Sequence, residues 1–252
     1  KSSAMLMMIV WATMILTSVM VTFFTESLIR SDSALIQMFA SIPIFLFGAA
    51  CIAMAVGMVF IIVIRFYKSL MSDEGYLMHT LPVKEWQLIT SKGLAATIYS
   101  IGCTVVVLIS LTIFTKGDVI VELVKVFPEF LNRPVYILYV IEAIIILIFG
   151  LLKSVYQVYA SLAIGQLVDK HRILLSAGAY CGISTVVGVV ASVFMIICIN
   201  FDVNFNFVGS LVNQEFGTIQ LLFIIAFIAE FAQVAVFHVI TERLLTDRLN
   251  LL

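Results

Sequence analysis

Charge is what this sequence has least of. Among 252 residues there are 14 Lys or Arg and 15 Asp or Glu, 12% together, where soluble domains carry about 25%. That is too little to coat a water-soluble globule, and 63% of the chain is apolar. A net charge of −1 leaves no basic stripe, which excludes nucleic acid as a partner. Four Pro and 13 Gly are too few for a low-complexity chain. The four cysteines, Cys51, Cys103, Cys181 and Cys198, fall inside apolar runs without paired spacing, against a disulfide framework or a metal site. His79, His171 and His238 are equally scattered. No HExxH, Walker A, GxGxxG or GxSxG occurs. Catalytic residues, bound metal and a resident cofactor are therefore not expected on this chain.

What the sequence has in abundance is long apolar runs. Six are present: 4–24, 43–64, 93–114, 134–152, 173–199 and 217–240. A helix needs about 20 residues to cross about 30 Å of hydrocarbon. Backbone amides must be paired inside lipid, so runs of this length are helices, whereas a barrel would need alternating strands of about ten. The expected fold is all-α and integral to the membrane, a six-transmembrane-helix bundle forming one domain over 1–252. The first run is too long for a signal-peptide core, and no cleavage site followed by a soluble domain appears.

Six crossings place both termini on one side. That side holds Lys1, Arg65, Lys68, Lys84, Lys92, Lys153, Lys170, Arg172, Arg243 and Arg248; the other holds Arg30, Lys116, Lys125 and Arg133. The excess of basic residues predicts cytoplasmic termini.

Two outer connections have a pattern. In 115–133, Val119, Leu123, Val126 and Phe130 make one helical stripe, with Glu122 and Lys125 on the other face, which predicts a short helix in the interface. In 200–216, Phe201, Val203, Phe205 and Phe207 alternate with Asp202, Asn204 and Asn206. That period of two reads as an extended cap, or as the lip of a gate.

The first inner connection, 65–92, concentrates charge, aromatics and turn residues. Ser72-Asp73-Glu74 is a helix-start signature, Gly75 permits a sharp backbone change, and Pro82 ends the helical run. Trp86 falls where indoles prefer the interface. The segment reads as a short cytoplasmic helix with Tyr76, Leu77, Met78 and Leu81 exposed. Such a patch either docks a partner or packs back on the bundle or lipid headgroups.

The run Arg65-Phe66-Tyr67-Lys68 with Asp73-Glu74-Gly75-Tyr76-Leu77-Met78-His79-Thr80-Leu81-Pro82 resembles the first cytoplasmic loop of type-2 ATP-binding-cassette (ABC) exporter permeases of Gram-positive bacteria. The run from Tyr159 to Arg172 and the ending Leu249-Asn250-Leu251 are similar to those permeases too, and six spans match over nearly the whole chain. Only Lys1-Ser2-Ser3 precedes the first span, where such permeases carry a basic amphipathic helix. The resemblance implies a multi-pass protein of the bacterial cell membrane that is a transport permease and not itself an enzyme. ATP and Mg would be bound by a separate ATPase subunit, and a second permease subunit, identical or related, would complete the path. Asp73, Glu74, Gly75, Tyr76, Leu77, Met78, His79 and Leu81 would form the coupling helix seated on that ATPase, with Gln166 and Lys170 in a second, smaller contact. The cargo would be lipophilic or amphipathic: a peptide antibiotic, a drug or a lipid.

Two acids, Glu142 and Glu230, lie inside apolar runs. An acid in hydrocarbon is a functional candidate by default. At 1.5 Å per residue they lie about 12 Å and about 20 Å from the outer ends of their spans, so a carboxylate pair is not expected. Glu230 shares a face with Gln233 and Phe237, and Glu142 with Tyr139 and Lys153. The plain role is hydrogen bonding that fixes the bundle; the sharper one is a polar point on a transport path. The alternative to an ATP-driven permease is a self-contained secondary transporter or a polytopic enzyme using these acids. Against these stand the absence of a matched pair of broken spans and of a converging nucleophile and base. A scaffold would equally explain the apolar loop.

Overall fold

A computed structural model describes residues 2–29, 42–68, 85–132, 134–168, 171–200 and 214–249. Seven helices occupy nearly all of them: α1 (Ser2–Ile29), α2 (Ile42–Phe66), α3 (Glu85–Phe114), α4 (Asp118–Asn132), α5 (Pro134–Gly165), α6 (Arg172–Asn200) and α7 (Gln214–Leu249). Among the described residues there is no strand. Six of the helices are long and apolar enough to cross a membrane, over Met5–Thr25, Phe45–Phe66, Trp86–Phe114, Val135–Gly165, Arg172–Val193 and Leu222–Leu245. The fold class is all-α, a six-helix membrane fold.

The chain divides into two compact units, Lys1–Arg65 with Ile98–Ile137, and Phe66–Thr97 with Leu138–Leu252. In the first unit, α1 buries Met7, Met14 and Val21, spaced by two turns on one face. They belong to a core with Met54, Met58 and Ile61 of α2 and Cys103 and Val106 of α3. Trp11 Nε1 donates to Cys103 Sγ at 3.1 Å, and that thiol lies 3.5 Å from Met58 Sδ. Phe47 stacks on Phe114 at 4.6 Å. Arg65 places its guanidinium 4.6 Å from the centre of the Tyr99 ring, an attraction between a cation and the ring quadrupole.

Where α3 ends, Gly117 N–H bonds to Thr112 O and Lys116 N–H to Ile113 O, a Schellman closure. It holds Lys116 and Gly117 at positive φ, 53° and 85°. Helix α4 then stands where the amphipathic pattern predicts it, with Leu123, Val124 and Phe127 exposed. Serine and threonine hydroxyls throughout bond to carbonyls three or four residues back, as Thr17 does to Thr13 and Thr241 to Phe237. In a lipid setting this satisfies a donor that water would otherwise serve.

The second unit centres on the C-terminal part of α5. Val155, Tyr156, Val158, Tyr159, Ala160, Ser161 and Ala163 are all buried. This stretch lies beyond the apolar run that ends at Leu152, and Tyr159–Gly165, read from the sequence as part of an inner connection, is helical. Helix α3 likewise starts at Glu85, ahead of Gly93, and α7 continues to Leu249. The end of an apolar run marks where side chains stop being uniformly apolar. The backbone ladder continues wherever polar side chains find partners inside the fold. Gln157 does so, donating to Ser184 of α6 at 2.6 Å.

Candidate functional site

Helices α5 and α7 run parallel and in register within the second unit. Tyr139 stacks on Phe223, Phe149 meets Phe227 edge-on and lies 6.2 Å from Phe231, and Tyr156 meets His238 edge-on at 5.2 Å. Residue numbers on the two helices rise together along this seam. Two polar contacts punctuate it. Gln220 Nε2 donates to Glu142 Oε1, and Lys153 Nζ donates to Glu230 Oε1 at 2.8 Å, the partners being 78 and 77 residues apart. Glu142 and Lys153 lie three turns apart on one face of α5, which is why both meet the same face of α7.

The Lys153–Glu230 pair is largely withdrawn from solvent, with side chains 22% and 20% exposed. Each charge compensates the other where little else can. Three buried oxygens of this seam accept no hydrogen bond: Glu142 Oε2, Gln220 Oε1 and Glu230 Oε2. An unsatisfied buried acceptor costs about 1–3 kcal/mol, so the seam holds polar capacity that the chain leaves unused. A cavity of about 230 Å³ adjoins it, lined by Glu142, Ile145, Ile146, Phe223, Ile224 and Phe227.

Further along α5 from the ion pair, its side chains contact both helices that flank the connection between α2 and α3. Tyr159 stacks on Phe66, the last residue of α2, with ring centres 3.9 Å apart, and its hydroxyl donates to Lys92 O of α3 at 3.1 Å. One turn back on α5, Tyr156 packs so closely on Gly93 that a Cβ there would lie 2.8 Å from the phenol oxygen. At the far end of α5 a Cβ on Gly165 would collide with Ser176 Oγ of α6. Lys153, Tyr156 and Tyr159 thus follow one another at intervals of three along one helix face, from the ion pair to the contacts with α2 and α3.

Of the residues singled out from sequence, Glu142 and Glu230 are placed in this seam, while Gln233 bonds to Ala229 O within α7. The two acids do not face each other but take separate partners. Gln166 is half-buried in the turn after α5, its amide bonded to Ala163 O. Asp73, Glu74, Gly75, Tyr76, Leu77, Met78, His79, Leu81 and Lys170 lie outside the described residues, as do Phe201, Asp202 and the rest of the alternating segment up to residue 213. Sequence reasoning did not assign partners to Lys153 and Gln220, nor roles to Phe66, Tyr156 and Tyr159. The available signal was the shared face of Glu142 and Lys153. Among the described residues no group of three or more His, Cys, Asp or Glu is arranged to hold a metal. Comparison with protein-family models, with curated proteins and with solved structures finds no match.

Proposed function

We propose that this chain is the membrane-spanning permease subunit of an ATP-driven ABC exporter. Its segment 69–84 would be the element that a separate ATPase grips. The observation that carries the reading is a clamp across the two helices that carry that segment: Tyr159 stacks on Phe66 at the end of α2 and bonds to Lys92 O, two turns into α3, and Tyr156 abuts Gly93 beside it. A push or pull on the segment reaches α5 through these contacts. Two turns up the same helix it reaches Lys153, whose bond to Glu230 ties α5 to α7. A docking loop needs such rigid roots, because a displacement absorbed by slack side chains does no work on the spans.

On this reading both termini are cytoplasmic, the membrane is the bacterial cell membrane, and a second permease copy or a related chain completes the path. The partner ATPase supplies ATP and Mg, and the cargo is lipophilic or amphipathic. The test is purification in mild detergent from the native cell. The wild-type chain brings an ATPase with it, and Tyr76→Asp with Leu77→Asp loses that ATPase while the permease remains folded. Undiminished recovery of the ATPase with the double variant overturns the reading.

The partly buried Lys153–Glu230 pair favours a second reading, a secondary transporter whose intramembrane charges bind the coupling ion. That protein would accumulate solute in vesicles on an ion gradient with no ATPase present.

A further inference from the structure

We propose that the cavity beside Glu142 is a binding site for a primary ammonium carrying a compact apolar body. Two acceptors at this point of the seam lack donors, Glu142 Oε2 and Gln220 Oε1. The amide orientation of Gln220 is fixed by its own Nε2–H, which donates to Glu142 Oε1, so the remaining amide atom is an acceptor. What the pair lacks is a hydrogen-bond donor, and a cation supplies one together with charge for the carboxylate. Among the described residues no cationic side chain lines the cavity, and Lys153 is committed to Glu230.

A primary ammonium presents three N–H donors and no acceptor, which serves both orphaned oxygens at once. The other walls, Ile145, Ile146, Phe223, Ile224 and Phe227, suit an apolar body, and the phenylalanine faces add attraction for a cation. Tyr139, stacked on Phe223 at 5.7 Å, backs that wall. At about 230 Å³ the cavity is smaller than the usual drug-sized pocket of about 300–1,000 Å³, so the body is a single ring with a short chain. A phospholipid amine is disfavoured because its phosphate would be drawn toward the Glu142 carboxylate. The occupant is therefore a membrane-dissolved aryl-alkyl amine.

The site deepens the export reading, and rests on it, only in treating that amine as cargo. Equilibrium binding needs no ATPase, so failure here leaves the ATPase docking untouched, and the reverse holds. The experiment uses the full chain in phosphatidylcholine nanodiscs with radiolabelled 4-phenylbutylammonium. Saturable binding is expected, with neutral 4-phenylbutanol unable to displace it. Glu142→Gln, which keeps shape and removes charge, weakens binding about tenfold or more, as expected for a charge-assisted hydrogen bond. Absence of saturable binding, displacement by the alcohol as readily as by the amine, or unchanged affinity in folded E142Q overturns the proposal. Loss of probe binding when phosphatidylethanolamine replaces phosphatidylcholine also overturns it, since a headgroup would then be the occupant. Should E142Q not fold, the amine–alcohol comparison on the wild-type chain decides alone.

Discussion

In the first compact unit the contacts are mostly soft: methionines at Met7, Met14, Met54 and Met58, an indole N–H on a thiol and two stacked phenylalanines, with one guanidinium, Arg65, over the Tyr99 ring. In the second the same kind of helix carries Lys153 against Glu230, Gln220 against Glu142, and a tyrosine pair clamped on the end of α2 and on α3 two turns from its start. Sulfur and aliphatic contacts are non-directional and tolerate repacking. Ion pairs and phenol hydrogen bonds have one good geometry and lose it abruptly. The difference teaches where each unit is adaptable and where it is a linkage: a movement entering at Phe66 or Lys92 meets directional contacts all the way to the α5–α7 seam.

The contrast is broken most severely by removing one charge. Lys153→Met strands Glu230 and should cost about 3–5 kcal/mol, the usual penalty for an uncompensated buried charge. Unfolding equilibria in bicelles measure it, and Lys153→Met with Glu230→Met recovers most of the loss, because a well-packed apolar pair replaces a buried ion pair at little cost. A double variant as unstable as the single one would show that the pair does more than neutralise itself. Met58→Ala in the first unit should cost about 2–4 kcal/mol by cavity formation. Unlike K153M, that variant should be rescued by a neighbouring enlargement rather than by a second charge removal.

Smaller effects sharpen the same distinction. Gly93→Ala forces a methyl onto the Tyr156 phenol and should cost about 1–3 kcal/mol, as overpacking does. The accompanying sign is altered tyrosine ring-flip or fluorescence behaviour at Tyr156, with the first unit's Trp11 emission unchanged. Smallest is Tyr159→Phe. It keeps the stack on Phe66 and removes the bond to Lys92 O, which is worth about 1 kcal/mol, so amide exchange around Lys92, two turns into α3, should quicken while that of α1 does not change.

The six spans were legible because lipid imposes a compositional rule that a run of residues either meets or does not. Helix α4 was legible from the stripe formed by Val119 and Leu123 opposite Glu122 and Lys125. The lengths of α3, α5 and α7 were not, because residues such as Gln157 and Ser161 read as water-facing while they are buried and bonded within the fold. The Lys153–Glu230 pair was hidden by depth arithmetic. Counted from the starts of the apolar runs at about 1.5 Å per residue, Lys153 lies deeper than Glu230 by about 9 Å. Helix α7 starts at Gln214 rather than at Gly217, which moves Glu230 inward by about 4–5 Å on the same count. Register between packed helices supplies the rest, and register is a property of side-chain fit that one helix's sequence does not carry. The acids themselves were visible as exceptions to an apolar background, while their partners were not, since Gln220 is an unremarkable polar residue near a helix start.

The most direct measurement is solute flux into vesicles that contain this chain alone, with ATP and with a proton or sodium gradient applied in turn. Uphill transport should be absent under both conditions. It should appear with ATP only when the co-purifying ATPase is added, and should vanish again with Tyr76→Asp and Leu77→Asp. Gradient-driven accumulation by the chain alone would contradict the account.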